Sequence, residues 1–130
     1  KVIDCDLTKK ITFKGHVDGE DRERAFADAD LFVLPSHSEN FGNVIAEALI
    51  RGVPAITTTN TPWHGLEAHK CGRWVPLDSD TLARTIMQMR KQDLPAMGAR
   101  GRQWMLDEFS WARRAKSLQA LYTGLVAERL

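Results

Sequence analysis

Disulfide chemistry is what this chain has least material for: its 130 residues include two cysteines, Cys5 and Cys71, too few for a cross-linked framework. With no stretch that reads as a secretory signal, a reducing, cytoplasmic setting is the expectation. No apolar run approaches the roughly 18 uninterrupted residues of a membrane span, so contact with the inner face of a membrane is expected only through regions outside this chain. An excess of one charge is missing too. Eighteen Lys and Arg stand against 17 Asp and Glu, a formal net charge of +1, so no global field recruits nucleic acid or an anionic membrane, and any anion site has to be local. There is no internal repeat, no low-complexity tract and no shift of composition that marks a linker. Nor is there a Gly-x-Gly-x-x-Gly run for a dinucleotide, or a Gly-x-Ser-x-Gly elbow around Ser36 or Ser38 that would give His37 a nucleophile to activate.

What the chain does have is 43% hydrophobic and 27% charged residues, enough for one core in one domain. The pattern alternates. Ile11-Thr12-Phe13 predicts a short strand stopped by Lys14-Gly15, and Glu20 to Asp30 carries Ala25, Phe26 and Ala29 at helical spacing. Leu31-Phe32-Val33-Leu34 is apolar at every position, as in a strand buried on both faces of a parallel sheet. Val44, Ile45, Ala48 and Leu49 then fall on one side of a helix that Gly52 and Pro54 end, before a strand at Ala55-Ile56-Thr57-Thr58. A short helix from Trp63 to Lys70, a strand from Arg73 to Leu77 and a helix capped by Asp78 or Ser79 follow. Leu94-Pro95 separates that helix from one carrying Met97, Trp104 and Met105. Ser110 caps a last helix with Trp111, Ala115, Leu118, Tyr122, Leu125 and Val126 on one side; Arg113, Arg114 and Lys116 near its start read as a solvated face. The alternation predicts an α/β fold, a Rossmann-like parallel sheet with flanking helices.

The most informative segment runs from Pro35 to Glu47, Pro-Ser-His-Ser-Glu-Asn-Phe-Gly-Asn-Val-Ile-Ala-Glu. A buried strand that turns through a polar loop into a helix at Phe41-Gly42 aims free backbone N–H groups outward, which suits a phosphate or a phosphorylated sugar. In open parallel sheets ligands sit outside the carboxyl ends of the strands, where this loop lies.

Pro35-Ser36, Glu39, Phe41-Gly42, Glu47-Ala48 and Gly52-Val53-Pro54 together resemble the "group 1" family of retaining glycosyltransferases of the GT-B fold. The Glu-x7-Glu pair alone is weak, but here it lies between a buried strand and a Gly-x-Pro helix exit. The resemblance runs from about Ile11 to Trp111, nearly the whole chain, and implies that residues 1–130 are the C-terminal donor-binding domain, incomplete at its N-terminus. The family's earlier strands carry a basic pair for the diphosphate, and an N-terminal acceptor domain precedes them; neither is found here, and Lys1-Val2-Ile3-Asp4 opens abruptly. The isolated chain is therefore expected to be inactive.

The roles that follow are implied by the resemblance. Glu47 holds the ribose of a nucleotide-sugar donor, since one carboxylate accepts from both hydroxyls of a cis-diol. Read from its residue type alone, it is a solvated helix glutamate. Glu39 lies beside the transferred sugar as the catalytic carboxylate, orienting hydroxyls or stabilising charge at the anomeric carbon; alternatively it caps the helix. Backbone amides of Phe41, Gly42, Asn43 and Val44 face the sugar and diphosphate, and the base lies against the turn around Thr12. No metal and no cofactor are expected. The acceptor is a saccharide or a lipid-linked one, and Thr57 to Trp63 loosely resembles bacterial surface-polysaccharide transferases, which points to polysaccharide or lipopolysaccharide synthesis. A non-catalytic nucleotide-sugar-binding subunit that needs a separate acceptor-domain partner, and a purely structural α/β domain, stay open as alternatives. His64, His69 and Cys71 offer three zinc-type ligands in no common spacing and read more simply as a surface loop. Trp63 is a sugar-stacking platform or, more simply, a packed side chain.

Overall fold

A computed structural model describes residue 7 and residues 9–127. Among them three parallel strands, β1 (Phe32–Leu34), β2 (Ala55–Thr58) and β3 (Gly72–Val75), form one sheet in the order β1-β2-β3. Phe32 stands opposite Ala55, and Ala55 opposite Gly72. The helices are α1 (Gly19–Ala27), α2 (Asn43–Ile50), α3 (Gly65–Ala68), α4 (Ser79–Met89), α5 (Leu94–Glu108) and α6 (Trp111–Ala127). The expected parallel α/β architecture is what the chain adopts.

β2 is central, and every one of its residues is buried. Its alternating side chains divide the core. On one face Ala55 joins Ile45 and Leu49 of α2, Leu66 of α3, and Trp104 and Met105 of α5; on the other Ile56 packs with Met89 of α4 and Met97 of α5. A smaller cluster of Phe26, Ala48 and Val53 seats α1 against α2. Side chains on successive strand residues point to opposite faces, which is why one four-residue strand can organise helices on both sides. α4 starts where Asp78 accepts the N–H of Thr81 at 2.8 Å, and α5 where Asp93 accepts that of Ala96 at 3.0 Å, with Pro95 inside its first turn. Pro95 therefore helps to begin α5.

Three expectations need correction. Ile11 to Phe13 form no strand: the segment is exposed coil, with Ile11 donating its N–H to Leu7, because among the described residues no strand lies alongside to pair with it. β1 is half-buried along its length, not covered on both faces; among the described residues it is an edge strand, paired with β2 alone. The apolar side of α6 packs on nothing described: Trp111, Leu118, Leu121, Tyr122, Leu125 and Val126 are all exposed. Its periodicity is amphipathic, but a stripe is buried only where another element meets it. Cys5 lies outside the described residues.

Candidate functional site

β1 ends at Leu34 and the chain turns through Pro35 to Phe41 into α2. β2 holds this loop by its side chains: Thr57 donates its hydroxyl to the Leu34 carbonyl at 3.0 Å, and Thr58 donates to the Ser36 carbonyl. Both threonines are buried, so their hydroxyls need partners, and the loop carbonyls satisfy them. The loop thus stands on the carboxyl edge of the central strand.

Gly42 makes the turn into α2. Its φ of +75° is left-handed, and a Cβ there would sit 3.2 Å from the Ile45 side chain and 3.4 Å from the Trp63 indole nitrogen, so a bare backbone is what lets the helix start this close to the core. The Gly42 carbonyl accepts from the Ile45 N–H at 2.9 Å, and no side chain caps the helix. No acceptor among the described residues meets the N–H groups of Asn43 and Val44, which leaves the positive end of the helix dipole open. Asn43 is exposed, while Val44 leans on the Phe26 cluster.

Phe41 is tied down from below. Trp63 donates its indole N–H to the Phe41 carbonyl, and the Phe41 ring lies 5.1 Å from that of Trp63 and 5.8 Å from that of Phe109. Trp63 is buried at 1% exposure, packed against Trp104 and Phe109 as well, so it is a packed residue and not an open stacking platform. It fixes the height of the loop.

Glu39 does not cap α2. Its carboxylate accepts the Ser36 hydroxyl at 3.0 Å across the loop, and it lies close to Gly42, whose added Cβ would come within 3.7 Å of Glu39 Cγ. The loop carboxylate and the helix start are therefore brought together. Glu47 sits one turn further along α2 from Asn43. It is neither freely solvated nor unpaired: its Oε2 meets Arg22 Nη2 of α1 at 2.6 Å. Sequence reasoning missed Arg22, which is 25 positions away on another helix, and no periodicity links the two.

A second bridge of reversed polarity joins the same helices. Arg51 grips the Glu23 carboxylate, with Nε at 2.9 Å from Oε2, while its Nη1 donates to the Glu47 carbonyl at 2.9 Å and its guanidinium lies over the Phe26 ring. The hydrogen bond from Arg51 holds the Glu23 carboxyl below its usual value, and Glu23 in turn raises Arg51.

Arg22 and Glu47 each line a different cavity. One of about 450 Å³ is bounded by Gly15, His16, Val17, Arg22, Phe32 and Val44. The other, about 230 Å³, is bounded by Ala46, Glu47, Met105, Phe109 and Ser110. Thr12 stands apart in exposed coil; the segment that lines the larger cavity begins three residues later, at Gly15. His64, His69 and Cys71 have separate surroundings: His69 stacks on Trp104 with centroids 4.3 Å apart, His64 meets Trp74 edge-on, and Cys71 is fully buried.

A family model described as Glycosyl transferases group 1 matches residues 1–92. The chain is 33% identical over 135 residues to a mannosylfructose-phosphate synthase of Agrobacterium fabrum, covering 95% of this chain and 28% of that protein. It is 30% identical over 141 residues to a GDP-mannose-dependent alpha-(1-6)-phosphatidylinositol monomannoside mannosyltransferase of Mycobacterium tuberculosis, covering 97% of this chain and 36% of that one. Among solved structures, a sucrose-phosphate synthase from Thermosynechococcus elongatus matches with a TM-score of 0.76 at 30% identity, over 98% of this chain and 33% of that chain. The chain thus spans about a third or less of the length of these relatives.

Proposed function

The chain belongs to the group 1 glycosyl transferases, and from that premise we propose that residues 1–130 are the donor-binding part of a retaining glycosyltransferase, which moves a sugar from a nucleotide sugar to an acceptor. The observation that carries this reading is the open start of α2 at Gly42, with Glu39 on one side and Glu47 one turn beyond. Two free N–H groups and a helix dipole suit a diphosphate, and a carboxylate a turn away suits the ribose that follows it.

In this mechanism the N–H groups of Asn43 and Val44 take up charge on the departing diphosphate, and Gly42 lets the ligand approach the backbone. Glu39, held by Ser36, orients the transferred sugar and faces the positive charge that grows at its anomeric carbon. The Phe41 carbonyl is already engaged by Trp63, so Phe41 contributes through its backbone N–H and by fixing the loop. The base lies against the turn that starts at Thr12 and reaches the larger cavity at Gly15 to Val17. The reading calls for no cofactor and no resident metal; helix amides, with basic side chains from elsewhere in the protein, neutralise the leaving group.

The acceptor is proposed to be a saccharide or a lipid-linked one, met by an N-terminal domain outside this chain. Surface polysaccharide or lipopolysaccharide synthesis is the proposed setting, and it rests on the likeness of Thr57 to Trp63 noted above. A cytoplasmic location belongs to the same proposal; no described helix is long and apolar enough to cross a membrane.

Substituting Glu47→Ala in the full-length enzyme tests the reading. Isothermal titration with UDP, GDP, ADP and CMP should show one nucleotide bound, with affinity lower by about tenfold or more in the variant, as expected for lost hydrogen bonds to a charged group. Wild-type affinity in Glu47→Ala would remove the ribose role.

A further inference from the structure

We propose that Arg22 is a positioning residue for donor binding: by holding one oxygen of Glu47 it fixes the carboxylate with its second oxygen open to the ribose diol, and it offsets a negative charge set beside an anionic ligand. This rests on the reading that Glu47 is the ribose partner. A glutamate side chain turns about several bonds, and a carboxylate near a helix surface samples many orientations. With Arg22 Nη2 at 2.6 Å from Oε2, Glu47 retains Oε1 for a ligand and loses much of that freedom. Arg22 itself is anchored, because α1 is seated by Phe26 in the core and by the separate Glu23 to Arg51 bridge.

The charge argument is independent of the geometric one. Glu47 lies one helical turn, about 5 Å along the axis, from the open N–H groups at the start of α2. A bare carboxylate there would repel the phosphates that the helix start attracts. Arg22 lines the larger cavity with Val44 and Gly15 while Glu47 lines the smaller one, so the pair stands between the two and the cation offsets the carboxylate at their boundary.

A purely structural role is the competing explanation. The pair is part-exposed, 41% for Arg22 and 31% for Glu47, and bridges of that kind contribute little to stability. The Glu23 to Arg51 bridge already ties the same two helices. Loss of Arg22 should therefore change binding more than it changes the melting temperature.

The test compares nucleoside diphosphates with their 2′,3′-dideoxy analogues, using UDP, GDP and ADP, by titration of the full-length protein and of its Arg22→Met, Arg22→Lys, Glu23→Gln and Glu47→Gln variants, each first shown to melt cooperatively. Wild type should prefer the ribose form by about tenfold or more. Arg22→Met should lose most of that preference, Arg22→Lys should keep part of it, and Glu23→Gln should keep all of it. If Arg22→Met weakens both forms equally, or leaves the preference intact, the positioning role is overturned while the ribose reading stands. If wild type shows no preference and Glu47→Gln binds as wild type does, the ribose reading itself falls, and the role of Arg22 with it.

Discussion

Cys71 shows how strongly one buried position can be set by its surroundings. It lies under the start of β3 among Leu49, Leu66 and Trp104, its sulfur 3.8 Å from the Leu66 carbonyl, and burial pushes the thiol from an ordinary value of 9.0 up to about 11. The sign follows from linkage: the folded value lies above the unfolded one, so the protonated thiol contributes stability that is complete below pH 9 and is lost as pH rises toward 11. Iodoacetamide at pH 8 should label Cys71 no faster than the protein unfolds, as read by peptide mass spectrometry, and fast labelling of folded protein would contradict the burial. The residues of the candidate site divide between what sequence could show and what it could not. Glu39, Gly42 and Glu47 stand out because one local segment carries strand end, turn and helix start together. Their partners do not, because Ser36 meets Glu39 through the path of the loop, and Arg22 meets Glu47 only once two helices have packed.

At the scale of elements, α5 lies against α2 through glycines. A Cβ at Gly98 would run into the Gly52 carbonyl, and one at Gly101 would come within 2.8 Å of Leu49 Cδ2. Gly98→Ala should therefore destabilise the protein by about 1–3 kcal/mol or more, because the obstacle is backbone and cannot turn aside. Gly124, on the exposed α6 with nothing near its Cβ position, provides the contrast: Gly124→Ala should be stabilising, by up to about 1 kcal/mol. Urea denaturation of the two variants against wild type measures both, and a neutral Gly98→Ala would show that the helices can separate slightly at little cost. These glycines explain part of what sequence reading misses. β2 follows from local chemistry and could be placed directly, and the cap of α4 could be narrowed to Asp78 or Ser79, of which Asp78 makes the bond. A glycine inside a helix carries no local sign of what it touches, a stripe like that of α6 looks the same whether or not something covers it, and Ile11 to Phe13 have strand composition without a strand beside them.

For the whole molecule, the proposed function makes the site one wall of a cleft. Sugar transfer needs an acceptor held against the donor, and charge on the departing diphosphate needs more than two amides. The 130-residue chain by itself is expected to show no transfer from UDP-, GDP- or ADP-sugars in a product assay, and measurable turnover would overturn the proposal that the acceptor side lies elsewhere. The alternation of strands and helices from β1 onward and the loop that follows β1 were legible from local patterns, since each depends on near neighbours. What depends on elements meeting, such as the clasp between α1 and α2, became visible only in three dimensions. The tie between Trp63 and Phe41 has an optical consequence as well. An indole whose N–H is bonded to the loop that starts α2, and which is closed off from water, is a built-in fluorophore for that loop. Occupancy at Gly42 should shift its emission even with Trp111 adding a constant solvent-exposed background, so ligand arrival can be timed in a stopped-flow instrument without any attached dye; a Trp63→Phe variant that keeps the signal would assign it to another indole.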